Sequence, residues 1–275
     1  RVHAALKKIR ASMKVGLSGT PIENTLLELK SLFDVVLPNY MPSDTEFRER
    51  FMKPIQKERD EQAKLALRRL IRPFVLRRKK NEVLSELPEK TEEISHCDLS
   101  KEQADLYNEM LRRSREPLLQ KLSEESGDIP YFHVFALLTQ LKKICDHPAL
   151  FLGKSKDYKH HQSGKWNLFL ELMSEAFESG QKVVVFTQYL GMLDIMAAYF
   201  QEIGVSYSMI KGSTKNRGEE IRRFNQDETC RVFLGSLLAG GLGIDLIGGS
   251  IVIHYDRWWN AARENQATDR VYRLG

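Results

Sequence analysis

The chain has 275 residues, 42% of them hydrophobic and 29% charged, with a formal net charge of +5. That is an ordinary globular composition, long enough for one large or two modest domains; no apolar run is long enough to cross a membrane, and no signal peptide is expected. Three cysteines without paired spacing, Cys97, Cys145 and Cys230, argue for a reducing compartment and against a disulfide framework or a zinc cluster.

The first half reads as mostly helical. Ile22, Leu26, Leu29, Leu32, Phe33 and Val36 form an amphipathic stripe that ends before Leu37-Pro38. From Arg68 to Lys80 there are seven cations and no acid, a run that suits either a solvated face or a surface against phosphates. Ser100 with Gln103 predicts a capping box opening a helix that carries Tyr107, Met110 and Leu111 and breaks near Pro117. Val134, Leu137, Leu138, Leu141, Ile144 and Cys145 give a further apolar helical face, stopped by His147-Pro148. Residues 153–164 read as a polar, mobile loop. Cys145, His147, His160 and His161 fit no standard ligand spacing, so no metal site is expected.

The second half alternates. Lys182 to Thr187 is a short apolar run, as expected of a strand buried on both faces, and Leu193, Met196, Ala197 and Phe200 then follow helical spacing. Strands are predicted again at Val205–Ile210, Arg231–Ser236 and Ser250–Tyr255, with a helix carrying Ile221 and Phe224 between the first two. Strand-helix alternation predicts an α/β domain with a parallel sheet over residues 163–275.

Candidate chemistry clusters after these strands. Leu234 to Asp245 places Gly240, Gly241 and Gly243 directly beyond a buried strand, which fits a ligand-approaching loop or a plain tight turn. Lys211-Gly212-Ser213-Thr214 combines a lysine, hydroxyls and an expected helix start, the makings of a phosphate seat or of a simple N-cap. Gln266, Arg270 and Arg273 are spaced four and three apart, so one helix would aim all three in one direction. That suits a nucleotide triphosphate, and equally a solvated surface helix. No Gly-x-x-x-x-Gly-Lys-Ser/Thr occurs in the chain.

In order and spacing these segments resemble the Swi/Snf-type DNA-dependent ATPases of helicase superfamily two. Leu17 to Asn24 is similar to motif III, Val183 to Gln188 to motif IV, Ser236 to Leu246 to motif V and Gln266 to Arg273 to motif VI. Ile210 to Thr214 resembles the intervening phosphate-contact segment, and Tyr255-Asp256 with Trp259-Asn260 the segment before motif VI. Pro73 to Lys79, Leu87 to Lys90 and Cys145 to Pro148 resemble stretches peculiar to this family, while Ala261 stands where it often has proline.

The resemblance implies two RecA-like lobes with ATP and Mg2+ between them, bound mainly by a part of the first lobe that precedes residue 1. Residues 1–40 would then end lobe one, 41–90 form a helical protrusion and basic linker, 91–162 a helical insertion, and 163–275 lobe two. It implies Arg270 and Arg273 as arginine fingers beside Gln266, Gly243 and Asp245 at the nucleotide, and Ser18, Gly19 and Thr20 coupling hydrolysis to lobe movement. Gln188, Lys211, Ser213, Thr214, Ser236 and Trp259 would line a double-stranded DNA groove. DNA-bound protein complexes are candidate partners and membranes are not. Location would be the cytoplasm or nucleoid in a prokaryote, which compact insertions favour, or the nucleus in a eukaryote. The alternatives are an RNA helicase lobe or a non-catalytic nucleic-acid-binding scaffold. Arg1 is not a start methionine, so the sequence is expected to be a piece of a longer protein, inactive alone because Walker A and B lie elsewhere.

Overall fold

The computed structural model describes residues 2–22, 24–78, 89–123, 131–237 and 243–273. Lys79, Lys80, Leu87, Pro88, Gly240 and Gly241, within segments named above, lie outside the described residues. The chain divides into two compact units, Arg1–Glu86 and Leu87–Gly275.

The first unit is helical: α1 (Val2–Lys7), α2 (Leu26–Val36), α3 (Asp44–Phe47), two π-helical turns (Arg48–Met52 and Pro54–Glu58) and α4 (Glu61–Ile71). Leu29, Phe33, Met41, Phe47, Phe51 and Leu67 make its core. The apolar stripe begins later than its spacing predicts. Helix α2 starts at Leu26, and Ile22 lies outside it and exposed. Asp60 caps α4, accepting from Gln62 N at 2.7 Å and Ala63 N at 3.1 Å. Lys30 is buried, and its ammonium is satisfied by Asp34 at 2.8 Å and Asp44 at 2.6 Å, which ties α2 to α3.

The second unit opens with α5 (Lys101–Ser123) and α6 (Tyr131–Asp146), followed by α7 (Pro148–Phe151), a 3-10 turn (Ser155–His160) and α8 (Gly164–Glu178). The Ser100–Gln103 capping box is present: Ser100 N donates to Gln103 Oε1 and Gln103 N to Ser100 Oγ, each at 3.1 Å. Helix α5 runs through Pro117 rather than breaking there. A proline forfeits one backbone bond, and the turns on either side carry the helix across it. The segment expected to be a mobile loop is built in instead. Tyr158 and Ser163 are buried, and Ser163 Oγ caps α8 through Trp166 N at 3.2 Å while donating to Asp146 O at 3.0 Å.

The four predicted strands form: β1 (Val183–Thr187), β2 (Ser206–Ile210), β3 (Cys230–Ser236) and β4 (Ile251–His254). All neighbouring pairs are parallel, in the order β2-β3-β1-β4. Between them run α9 (Leu190–Glu202) and α10 (Arg217–Gln226), and α11 (Ala261–Thr268) follows β4. Strand alternation divides two cores. Val183 and Val185 face Trp166, Phe169, Met173 and Met196, whereas Val184 and Phe186 face Phe224, Phe233, Leu246 and Ala267. Both faces of β1 are therefore dry, which is why its sequence is an uninterrupted apolar run. Among the described residues no helix is long and apolar enough to cross a membrane.

Candidate functional site

The carboxyl edge of this sheet is where strand order and chain exits gather the candidate residues. Register sets Thr187 of β1 beside Ser236 of β3, and Ile210 of β2 beside Gly235 of β3. Gln188, Lys211 and Ser236 thus leave three adjacent strands at the same level. Lys211 is engaged there by Asp194, and its N–H donates to Thr214 Oγ1 at 2.9 Å. Thr214 closes a turn rather than capping a helix, because α10 starts only at Arg217, whose guanidinium holds Gly212 O at 3.0 Å and Thr214 O at 3.3 Å. The four-residue segment after β2 is therefore a braced turn.

Beyond β3, Gly243 takes a left-handed backbone with φ of 60°, the conformation for which glycine is suited. Two residues on, the Asp245 carboxylate receives the Arg273 guanidinium, and Leu246 N donates to Arg270 O at 2.8 Å. These bonds correct the expectation of one helix through Arg273. Helix α11 ends at Thr268, and the chain then tightens, with Arg270 N on Ala267 O at 3.0 Å and Val271 N on Thr268 O at 3.0 Å. Gln266 stays on the helix, half-buried. Arg270 and Arg273 are carried by the tightened turn, where Ala267 and Val271 anchor it in the core.

Strand β4 exits into a set of buried polar groups. Tyr255 N extends the β1 ladder by donating to Phe186 O at 2.9 Å, and Tyr255 OH donates to Asp146 O at 2.8 Å. The Asp256 carboxylate, 3% exposed, accepts from the Thr187 hydroxyl and from Gln188 N at 3.1 Å. Burial pushes the Asp256 carboxyl above its usual range, only partly offset by the Thr187 hydroxyl and by the Gln188 backbone and side chain. Asn260 caps α11 through Ala262 N at 3.0 Å, and buried Glu264 binds Trp258 N at 2.6 Å and Arg257 at 2.9 Å. Trp258 packs on the core, whereas Trp259 is 76% exposed.

Asp146 and His147 sit where α6 meets α7, both buried. Burial, then the nearby Asp256 charge, raise the Asp146 carboxyl to about 7 despite Lys165 at 2.6 Å. Burial drives His147 down to about 4, and its Nδ1 accepts from Ala149 N at 3.2 Å. Sequence reasoning gave none of Asp256, Asp146, Lys165 and Glu264 an individual role. For Asp256 a usable signal exists: an acid immediately past a buried strand at the carboxyl edge of a parallel sheet. Ser18, Gly19 and Thr20 belong to the other unit, in an exposed turn where Thr20 N donates to Ser18 Oγ at 3.2 Å.

The family model of the SNF2-related domain matches residues 1–150, and that of the helicase conserved C-terminal domain matches residues 164–275. The chain is 39% identical to the putative ATP-dependent helicase/translocase YwqA of Bacillus subtilis, covering 98% of this chain and 30% of that protein. It is 31% identical to the human DNA excision repair protein ERCC-6, covering 100% of this chain and 20% of that protein. It thus spans less than a third of the length of these curated relatives. Among solved structures, the SWI2/SNF2 ATPase core domain of Sulfolobus solfataricus is 33% identical with a TM-score of 0.56, covering 99% of this chain and 55% of that one. The same core in complex with dsDNA is 32% identical with a TM-score of 0.56, covering 99% of this chain and 57% of that one.

Proposed function

The chain belongs to the SNF2-related family of ATP-dependent helicases, and from that premise we propose that it forms the C-terminal part of an ATP-driven translocase on double-stranded DNA. Residues 1–40 close a first RecA-like lobe, 41–90 form a helical protrusion and basic linker, 91–162 a helical insertion, and 163–275 the second RecA-like lobe. ATP, carrying Mg2+, binds mainly to the first lobe and is met from the second by Arg270, Arg273 and Gln266. One observation carries this reading: Arg273 and Asp245, 28 residues apart, meet as an ion pair. A cation for the γ-phosphate and an acid for the ribose hydroxyls are thereby gathered at one place.

Guanidiniums that reach a transferring phosphoryl group stabilise the charge that develops on it. Gly243 lets the chain approach the nucleotide closely, and Ser18, Gly19 and Thr20 couple hydrolysis to lobe movement. Gln188, Lys211, Ser213, Thr214, Ser236 and Trp259 track the DNA backbone. Support comes from the register that aligns the exits of β1, β2 and β3, and from the homologous core that was solved with dsDNA. Contacts of this kind read phosphate rather than base sequence, so binding is sequence-tolerant.

Duplex binding by residues 1–275, measured by fluorescence anisotropy over a salt series, tests the reading. The logarithm of affinity falls linearly with the logarithm of salt concentration if phosphates are the contacts. A flat line rejects backbone tracking. Phosphate release by residues 1–275 alone is negligible on this reading, since the chain has no Gly-x-x-x-x-Gly-Lys-Ser/Thr. DNA-stimulated turnover by this chain alone contradicts it.

A further inference from the structure

We propose that the first unit carries a phosphate-binding face of its own: Arg68, Arg69 and Arg72 at the end of α4, continued by Arg77 and Arg78, hold the backbone of a DNA duplex. The inference rests on the duplex-binding reading above and adds to it, since every groove residue assigned there belongs to the second unit.

Helix α4 divides its charges along its length. Asp60 and Glu61 stand at its start, and both are engaged: Asp60 accepts from Gln62 N and Ala63 N, and Glu61 holds Lys64 at 3.0 Å. Beyond Glu61 the sequence has no acid before Glu82. Leu67 is buried and Ala63, Leu70 and Ile71 half-buried, so the helix packs on that side. Arg68 and Arg72, one turn apart, point the other way with Arg69 beside them, and all three are exposed. Arg77 and Arg78 are exposed too. Among the described residues, none of these five side chains has a carboxylate or other hydrogen-bond partner.

Two ordinary explanations fall short. A helix C-terminus favours cations, which accounts for Arg68 and Arg69 in the last turn of α4. It does not account for Arg77 and Arg78, which follow the extended residue Val75 and lie outside any helix. A solvated face intersperses its cations with acids, whereas here like charges repel at one turn's spacing with nothing to relieve them. An external polyanion relieves that repulsion, and the guanidinium fork matches phosphate oxygens. Of such polyanions, duplex DNA is the one the proposed activity brings to the chain. The mounting is also firm. Tyr40 OH donates to Leu70 O at 2.9 Å, and its ring meets Phe74 edge-on with centroids 4.8 Å apart. The end of α4 and the 3-10 turn Arg72–Phe74 are thus pinned to the unit's core, and arginines on a fixed backbone lose less freedom on binding.

Anisotropy of fluorescein-labelled duplexes of two unrelated sequences, titrated with residues 1–275 over a salt series, tests the face; far-UV circular dichroism confirms the fold. Arg68→Gln/Arg72→Gln is expected to weaken binding to both duplexes roughly 10-fold and to flatten the slope of log affinity against log salt by about 2. Arg77→Gln/Arg78→Gln, outside any helix, should do the same and decides the matter if the α4 pair disturbs the fold. Arg68→Lys/Arg72→Lys keeps the charges and should keep most of the slope. Lys154→Gln/Lys156→Gln removes exposed charges from the second unit and should leave the slope at its parental value. Parental affinity and slope in both arginine pairs overturn the inference and leave the face to an acidic protein or to solvent. An equal loss in the lysine control also overturns it, because net charge alone would then be at work. A flat salt line for the parent instead removes the duplex-binding reading, and the inference with it.

Discussion

Arg273 and Asp245 hold each other within the second unit, guanidinium to carboxylate, with side chains 35% and 56% exposed. An ion pair this open contributes about 0–1 kcal/mol to stability, so a nucleotide phosphate can take the arginine from it at little cost.

Replacing the arginine should therefore separate stability from activity. In a protein carrying both lobes, Arg273→Ala is expected to lower DNA-stimulated ATP turnover on the order of 10³-fold, the scale of a lost arginine finger. Its unfolding free energy should move by less than about 1 kcal/mol. Steady-state phosphate release and urea unfolding measure the two quantities. A variant that turns over ATP like its parent rules out the finger.

Gln103 carries a heavier structural load than its place in a capping box conveys. It is fully buried, its Nε2 donates to Ile144 O at 2.8 Å and Cys145 O at 2.9 Å, and its Oε1 accepts from Ser100 N at 3.1 Å and Gly164 N at 3.0 Å. One amide thus joins the start of α5, the end of α6 and the start of α8. Gln103→Ala leaves several buried groups unpaired and should cost on the order of 3 kcal/mol in urea unfolding. Gln103→Glu keeps the acceptor but loses the donor that faces two carbonyls, and should fall at least as far.

The sheet and the capping box were legible in the sequence because their causes are local. Val183 to Phe186 are apolar on consecutive positions, which only a strand covered on both faces explains so briefly, and Ser100 with Gln103 is a signal four residues long. What escaped depends on distant partners. Helical spacing continues through Arg270 and Arg273, yet Leu246 N claims Arg270 O and the turn tightens. The polarity of residues 153–164 conceals Tyr158, which packs on His147 and Trp166 and reaches Glu202 of α9, and Ser163, which joins the end of α6 to the start of α8. At the candidate site the cationic residues were named from spacing, but the partner of each, Asp245 for Arg273 and Asp194 for Lys211, required the fold.

Gly164 offers a sharper steric test. A Cβ at that position would lie 1.9 Å from Asp98 O, a backbone atom that cannot swing aside, whereas Gly212 has nothing within 4 Å of its own. Gly164→Ala is expected to destabilise residues 1–275 by about 3 kcal/mol, the upper range for overpacking, and Gly212→Ala by less than about 1 kcal/mol. Thermal or urea unfolding of the pair compares them, and equal losses would show that the α8 start is free to shift.

Asp146 and His147 are adjacent, both buried, and their titrations oppose one another. The Asp146 carboxyl is raised from 3.8 to about 7, so the folded state holds a proton that the unfolded state releases. Its contribution to stability is full below pH 3.8 and is lost as pH rises toward 7. His147 is lowered from 6.5 to about 4, so its contribution is full above pH 6.5 and is lost as pH falls toward 4. Over the shared window the two slopes have opposite sign and similar size, about 1.4 kcal/mol per pH unit for one proton each. Their sum is nearly flat, so each single variant should unmask the other. His147→Asn, which retains an acceptor for Ala149 N, should leave stability falling as pH rises from about 4 to 7. Asp146→Asn, which retains an acceptor for Lys165, should leave stability rising over the same window. Urea unfolding of residues 1–275 across that range measures both profiles, and parallel profiles for the two variants would place these protons on other groups.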